Sequence, residues 1–84
     1  MMTTQELIEK YTDESGEFIF GIDKVMDAIR PNALYELSIN AGFFNVTRWD
    51  EGQNMEAPSS QEIREEYLRH KAIKETLDYI RSKA

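Results

Sequence analysis

The chain has 84 residues, no cysteine and a formal net charge of −6, with 40 % hydrophobic and 31 % charged residues. A chain this short makes one domain, near the lower size limit for an unstapled core, and without cysteine it has neither disulfides nor a thiolate metal site. It is too apolar for disorder, and it lacks both the ~18-residue apolar run of a membrane span and a charged-then-apolar leader. The acidic balance argues against nonspecific nucleic-acid binding, which needs lysine and arginine to displace phosphate counterions. A basic protein partner, or mimicry of nucleic acid, is compatible with it.

Thr3-Thr4-Gln5-Glu6 is a capping-box signature, in which a threonine hydroxyl and a glutamate side chain satisfy each other's backbone amides. Leu7, Ile8 and Tyr11 then share one face, which predicts a short helix at about 4–11 that persists only if that face docks. Residues 12–17 read as a polar turn. Its acids lack the alternating donors and closing glutamate of a calcium loop, so no metal is expected there. Phe18-Ile19-Phe20 is a short strand or a buried connector.

Ile22, Val25, Met26 and Ile29 form one apolar stripe, which predicts a helix at about 22–30 with Asp23, Lys24, Asp27 and Arg30 facing water. Pro31 ends it. The period then changes to two: Tyr35, Leu37 and Ile39 alternate with Glu36, Ser38 and Asn40, predicting a strand at about 34–39. Asn40-Ala41-Gly42 supplies a tight turn, and the return strand is expected at about 43–49 with apolar bulk on both faces.

Residues 50–57 read as a loop. Pro58 precedes a second capping signature, Ser59-Ser60-Gln61-Glu62. Acids in the first turn and Arg81 and Lys83 in the last agree with the helix dipole, so a long helix is expected at about 60–82. Its main stripe is Ile63, Tyr67, His70, Ile73, Leu77 and Ile80; Leu68, Ala72 and Tyr79 make a thinner second stripe. The expected fold is one α+β domain over 1–84, an antiparallel hairpin packed with two short N-terminal helices and one long C-terminal helix.

No pattern here carries catalysis. His70 is the sole histidine, which leaves no His-His metal pair. Glu66, one turn back, could orient it as a base, but a partly buried structural histidine is the favoured reading. The four glycines are isolated and match no phosphate-binding loop. No catalytic, cofactor-binding or metal residue is therefore expected, and no cofactor. The candidates for partner binding are Leu68, Ala72 and Tyr79, and Trp49, which sits where the return strand leaves the hairpin and can either lid the core or anchor a partner. The second stripe packs on the N-terminal helices or on another chain, a homo-oligomer included, or is the ordinary scatter of apolar side chains on a surface.

From Asp27 onward the chain resembles the XkdW-like proteins of phages and of the defective prophage element PBSX. The resemblance rests on Asp27-Ala28-Ile29, the Pro31-Asn32 turn, Tyr35-Glu36-Leu37, Asn40-Ala41-Gly42, Trp49, and Pro58 followed by Glu62-Ile63. It covers about two-thirds of the chain, leaves residues 1–21 aside, and its motifs are structural. It implies a phage or prophage protein of tail or virion, without enzymatic activity or cofactor, that acts by protein contact in the bacterial cytoplasm or the virion. The competing expectation is an acidic inhibitor, a nucleic-acid mimic that blocks a basic site on a host or defence protein.

Overall fold

Thr3 starts the first helix by reciprocal capping: its hydroxyl accepts from the Glu6 amide at 3.2 Å, and the Glu6 carboxylate accepts from the Thr3 amide at 3.1 Å. This α1, Thr4–Tyr11, buries Leu7 and Tyr11. The computed structural model describes residues 2–50, 52–53 and 55–83. Glu51 and Asn54 of the expected 50–57 loop lie outside the described residues. The Asp13 carboxylate then caps a tight turn by accepting from the amides of Ser15 and Glu17, both at 3.0 Å. Phe18 is the buried connector of the two readings offered: only a single bridge to Thr12 forms, Phe18 turns inward and Ile19 turns out.

Helix α2, Ile22–Ile29, buries Val25 and Met26 and stops one residue before the predicted end. Strand β1, Tyr35–Asn40, lies one residue further along the chain than expected, and β2, Phe43–Trp49, lies where expected. They pair antiparallel, with Asn40 opposite Phe43. Ala41 (φ 52°) and Gly42 (φ 81°) form the two-residue loop, and positive φ at both positions matches the right-handed twist of the strands. Glycine takes this backbone freely, whereas at Ala41 it carries strain of about 1 kcal/mol.

The pairing contains one irregularity, and it decides what the hairpin buries. Glu36 pairs with Arg48 but Leu37 pairs with Val46, which leaves Thr47 as an extra residue on β2. Strict alternation would have put Arg48 on the face of Phe44 and Val46, with Trp49 opposite. A bulge of one residue inverts the phase beyond it. Trp49 therefore joins Tyr35, Leu37, Phe44 and Val46 on the core side. Arg48 points out, where its guanidinium lies 3.7 Å from the Glu36 carboxylate. Apolar bulk is found on both faces as expected, with Phe43 on the outer one, but Trp49 does not add to it.

Helix α3, Ser60–Lys83, extends one residue past the predicted end. The Ser59 hydroxyl accepts from the Glu62 amide at 3.1 Å. The main stripe is right through its first four turns: Ile63, His70 and Ile73 are buried together with Glu66. It fails at the end, where Ile80 is 56 % exposed because the last turns run past the body of the domain.

Two apolar clusters pack on this one helix. Leu7, Tyr11, Phe18 and Ile73 form the first, with Ile8, Phe20 and Leu77 at its margin. Val25, Met26, Phe44 and Ile63 form the second, flanked by Tyr35, Leu37, Val46, Trp49 and Tyr67. The rings of Phe20 and Tyr67, 5.1 Å apart, lie where the two meet.

Deleting Thr47 should leave every inward residue in phase, so the variant is expected to fold with Trp49 emission unchanged and stability within about 1.5 kcal/mol of wild type. Deleting Asn45 throws Val46 to the outer face and should abolish cooperative unfolding. Equal tolerance of both deletions in urea titrations would contradict the bulge reading.

Candidate partner-binding site

Arg30 fixes the geometry around the hairpin exit. The sequence pattern placed it in water; instead its guanidinium forks onto Glu62, Nη1 to Oε2 at 3.0 Å and Nη2 to Oε1 at 3.1 Å. Its Nε donates to the Glu56 carbonyl at 2.7 Å and Nη1 also donates to the Ile29 carbonyl at 2.8 Å. One side chain thus ties the end of α2 to the 50–59 segment and to the first turn of α3. Glu62 consequently completes an ion pair rather than the second half of the expected capping box. Asp27 keeps its side chain 36 % exposed and also accepts from the Tyr11 hydroxyl at 2.6 Å and from Lys10 at 3.1 Å. The Tyr11 hydrogen bond, with Lys10 behind it, holds the Asp27 carboxyl below the usual carboxylate range.

Trp49 closes the second cluster. Its indole lies half-buried among hairpin and α2 side chains, and Nε1 donates to the Met55 carbonyl at 3.0 Å. An indole with its apolar face in the core and its N–H satisfied is a lid. The groove beside it, about 610 Å³, is lined by Leu34, Glu36, Arg48 and Asp50.

Leu68, Ala72 and Tyr79 are placed differently. They share one outward face of α3; Leu68 and Tyr79 stand exposed on it, while Ala72 borders a groove whose other wall includes Thr4 and Ile8 of α1. Leu68 is 47 % exposed and Tyr79 63 %. Phe43, 48 % exposed at the hairpin tip, lines a shallow groove of about 480 Å³ with Leu68 and Arg64. The Arg64 guanidinium covers the Phe43 ring at 4.9 Å and donates to the Gly42 carbonyl at 2.9 Å. On the other side of the stripe, Ala72 borders a second groove of about 270 Å³, with Ile8, Thr76 and Leu77. The structure thus brings together three of the four predicted residues, adds Phe43, and sets Trp49 in another groove. Phe43 had one usable signal in the sequence: two adjacent phenylalanines at the start of a strand cannot both point inward.

His70 is fully buried, more than the partly buried residue expected. Its Nε2 lies 3.2 Å from Glu66 Oε1, which also accepts from Arg69 Nη1 at 3.4 Å. The imidazole sits between the rings of Tyr11 and Phe18, each 6.0 Å away. The Glu66–His70 pair expected as a helix-face contact is therefore an internal one, sealed from external substrate in this conformation. Among the described residues, no three potential metal ligands stand together, and no helix is long and apolar enough to cross a membrane.

Comparison of the chain with models of known protein families, with curated protein sequences and with solved structures found no match.

Replacing Arg30 by methionine keeps the stem and removes the fork, and should lower stability by about 1–3 kcal/mol. Arg30→Lys should restore little of it, because an ammonium cannot bind Glu62 bidentately while reaching Glu56. Urea titration of both variants checks this; wild-type stability in Arg30→Met would contradict the clamp.

Proposed function

We propose that this domain acts by protein–protein contact through the outward face of α3, as a small structural or assembly protein of phage or prophage type, tail or virion associated. The observation that carries the contact reading is the exposed apolar row of Phe43, Leu68, Ala72 and Tyr79, flanked by two shallow grooves. Singly exposed apolar side chains need no explanation, but a row along one helix face, bordered by polar residues, is the form of a binding surface. The phage setting is supported by the resemblance of the chain from Asp27 onward to XkdW-like proteins.

The rim of this face carries charge of both signs. Glu65 and Glu75 are exposed on the same face of α3, within a chain of net charge −6. Arg64 and Lys83 lie over the Phe43 and Tyr79 rings of the same row, so the face is mixed in charge and a partner with apolar anchors and a mixed polar rim fits it. The acidic-decoy alternative has less support. Asp27, Glu62 and Glu66 are engaged by Tyr11, Arg30 and His70, which removes them from any outer array mimicking phosphates.

Co-expression with the products of neighbouring genes tests the proposal. A tail or baseplate protein is expected to co-elute with the wild type and to be lost with Leu68→Glu, while sedimentation shows both forms to be folded monomers. A locus without tail or baseplate genes contradicts the phage setting. Equal co-elution of Leu68→Glu contradicts the surface, and a wild-type dimer dissolved by Leu68→Glu would make the partner a second copy.

A further inference from the structure

We propose that docking of the N-terminal segment, residues 2–20, onto α3 is released by acid through protonation of His70. The inference is independent of the partner surface. Its basis is the surroundings of the ring. Nε2 faces Glu66 at 3.2 Å, and Nδ1 is buried with no hydrogen-bond partner among the described residues. The geometry suits a neutral imidazole that donates from Nε2 to Glu66 and leaves Nδ1 bare against the apolar first cluster.

The charged groups around it give a second proton no favourable place. On α3, the Glu66 carboxylate already serves Arg69, whose Nη2 donates to the Met2 carbonyl at 2.7 Å. An imidazolium would set two cations on one carboxylate and turn a new Nδ1–H toward side chains that cannot accept it. A buried donor without an acceptor and a buried excess charge are both costly. From α1 the facing group is Tyr11, whose hydroxyl donates to Asp27 of α2, with Lys10 beyond, and makes no hydrogen bond with Nδ1. From the 12–20 connector it is Phe18, which offers no acceptor. The Glu17–Lys74 ion pair, 2.9 Å, lies one turn further along α3. Burial pulls the imidazole below its ordinary value of 6.5, against an opposing pull from Glu66.

The sign follows. A folded-state value below the unfolded one means that the unfolded segment binds the proton more tightly. Docking is therefore complete above about pH 6.5 and weakens as pH falls below it. Asp27, held below the usual carboxylate range, stays ionised through that window, so the Tyr11 hydrogen bond is not what fails. What rests directly on the ring is the first cluster, through Tyr11 and Phe18.

Amide-exchange protection factors at about pH 7.5 and about pH 5 test this, with a loss of about tenfold expected for Ile8–Tyr11 per unit by which the His70 value is depressed. Phe44–Val46 in β2 should keep their protection, and His70→Met should remove the difference in α1. Unchanged α1 protection at low pH, or an equal loss in His70→Met, overturns the proposal. Should that variant not fold, the imidazole proton titration of the wild type decides. A midpoint below 6.5 that tracks the loss in α1 is expected, and a midpoint at or above 6.5 overturns it.

Discussion

A single helix face has to serve as the wall of two cores. Ile63, Glu66, His70 and Ile73 recur along α3 at helical spacing; α2 and the hairpin pack at the Ile63 end, and α1 with the Phe18 connector at the Ile73 end. Neither an eight-residue helix nor a two-stranded hairpin is stable alone in water, so each depends on α3 to cover its apolar side. The arrangement also explains why the outward face of α3 is left over. Among the described residues, the elements that pack on the helix all gather on the side that supports the two clusters.

Polar contacts set the angles at which the parts meet the helix. Arg30 fixes where α2 ends and α3 begins, and the Tyr11–Asp27 hydrogen bond joins α1 to α2 across the first cluster. Arg69 holds the start of the chain through the Met2 carbonyl. These are charge-assisted bonds, individually stronger than neutral ones. Where the helix passes from one cluster to the other, the wall is polar: Glu66 and His70. That point is the most titratable part of the interior, and the N-terminal segment rests against it.

Local rules read most of this fold from the sequence. Thr3 and Ser59 marked two helix starts, Pro31 a stop, and the change of period at Tyr35 the hairpin, because each acts within a few residues. The second stripe was legible as well, since Leu68, Ala72 and Tyr79 lie on one side of an ideal helix. What was missed depends on residues distant in the chain. Arg30 has no local feature that points to Glu62, 32 residues away, and Asp27 none that points to Tyr11. The Thr47 bulge was hidden for another reason. Alternation was counted along β2 alone, whereas a bulge exists only relative to the strand it pairs with. Trp49 was therefore grouped with the wrong residues of β2, and only its pairing with Tyr35 decides between the two roles open to it, lid of the core or anchor for a partner.

The central claim is that two separable clusters share one helix wall. Native-state amide exchange of Leu7→Ala at neutral pH tests it most directly. Removing a fully buried leucine side chain from the first cluster should cost about 2–5 kcal/mol. The account predicts that this loss falls on the amides of α1 and the Ile73–Leu77 turn of α3, while β2 and the Ile63 end of α3 keep their wild-type protection. A uniform fall across α1, the hairpin and all of α3 would contradict it, and would mean one undivided core.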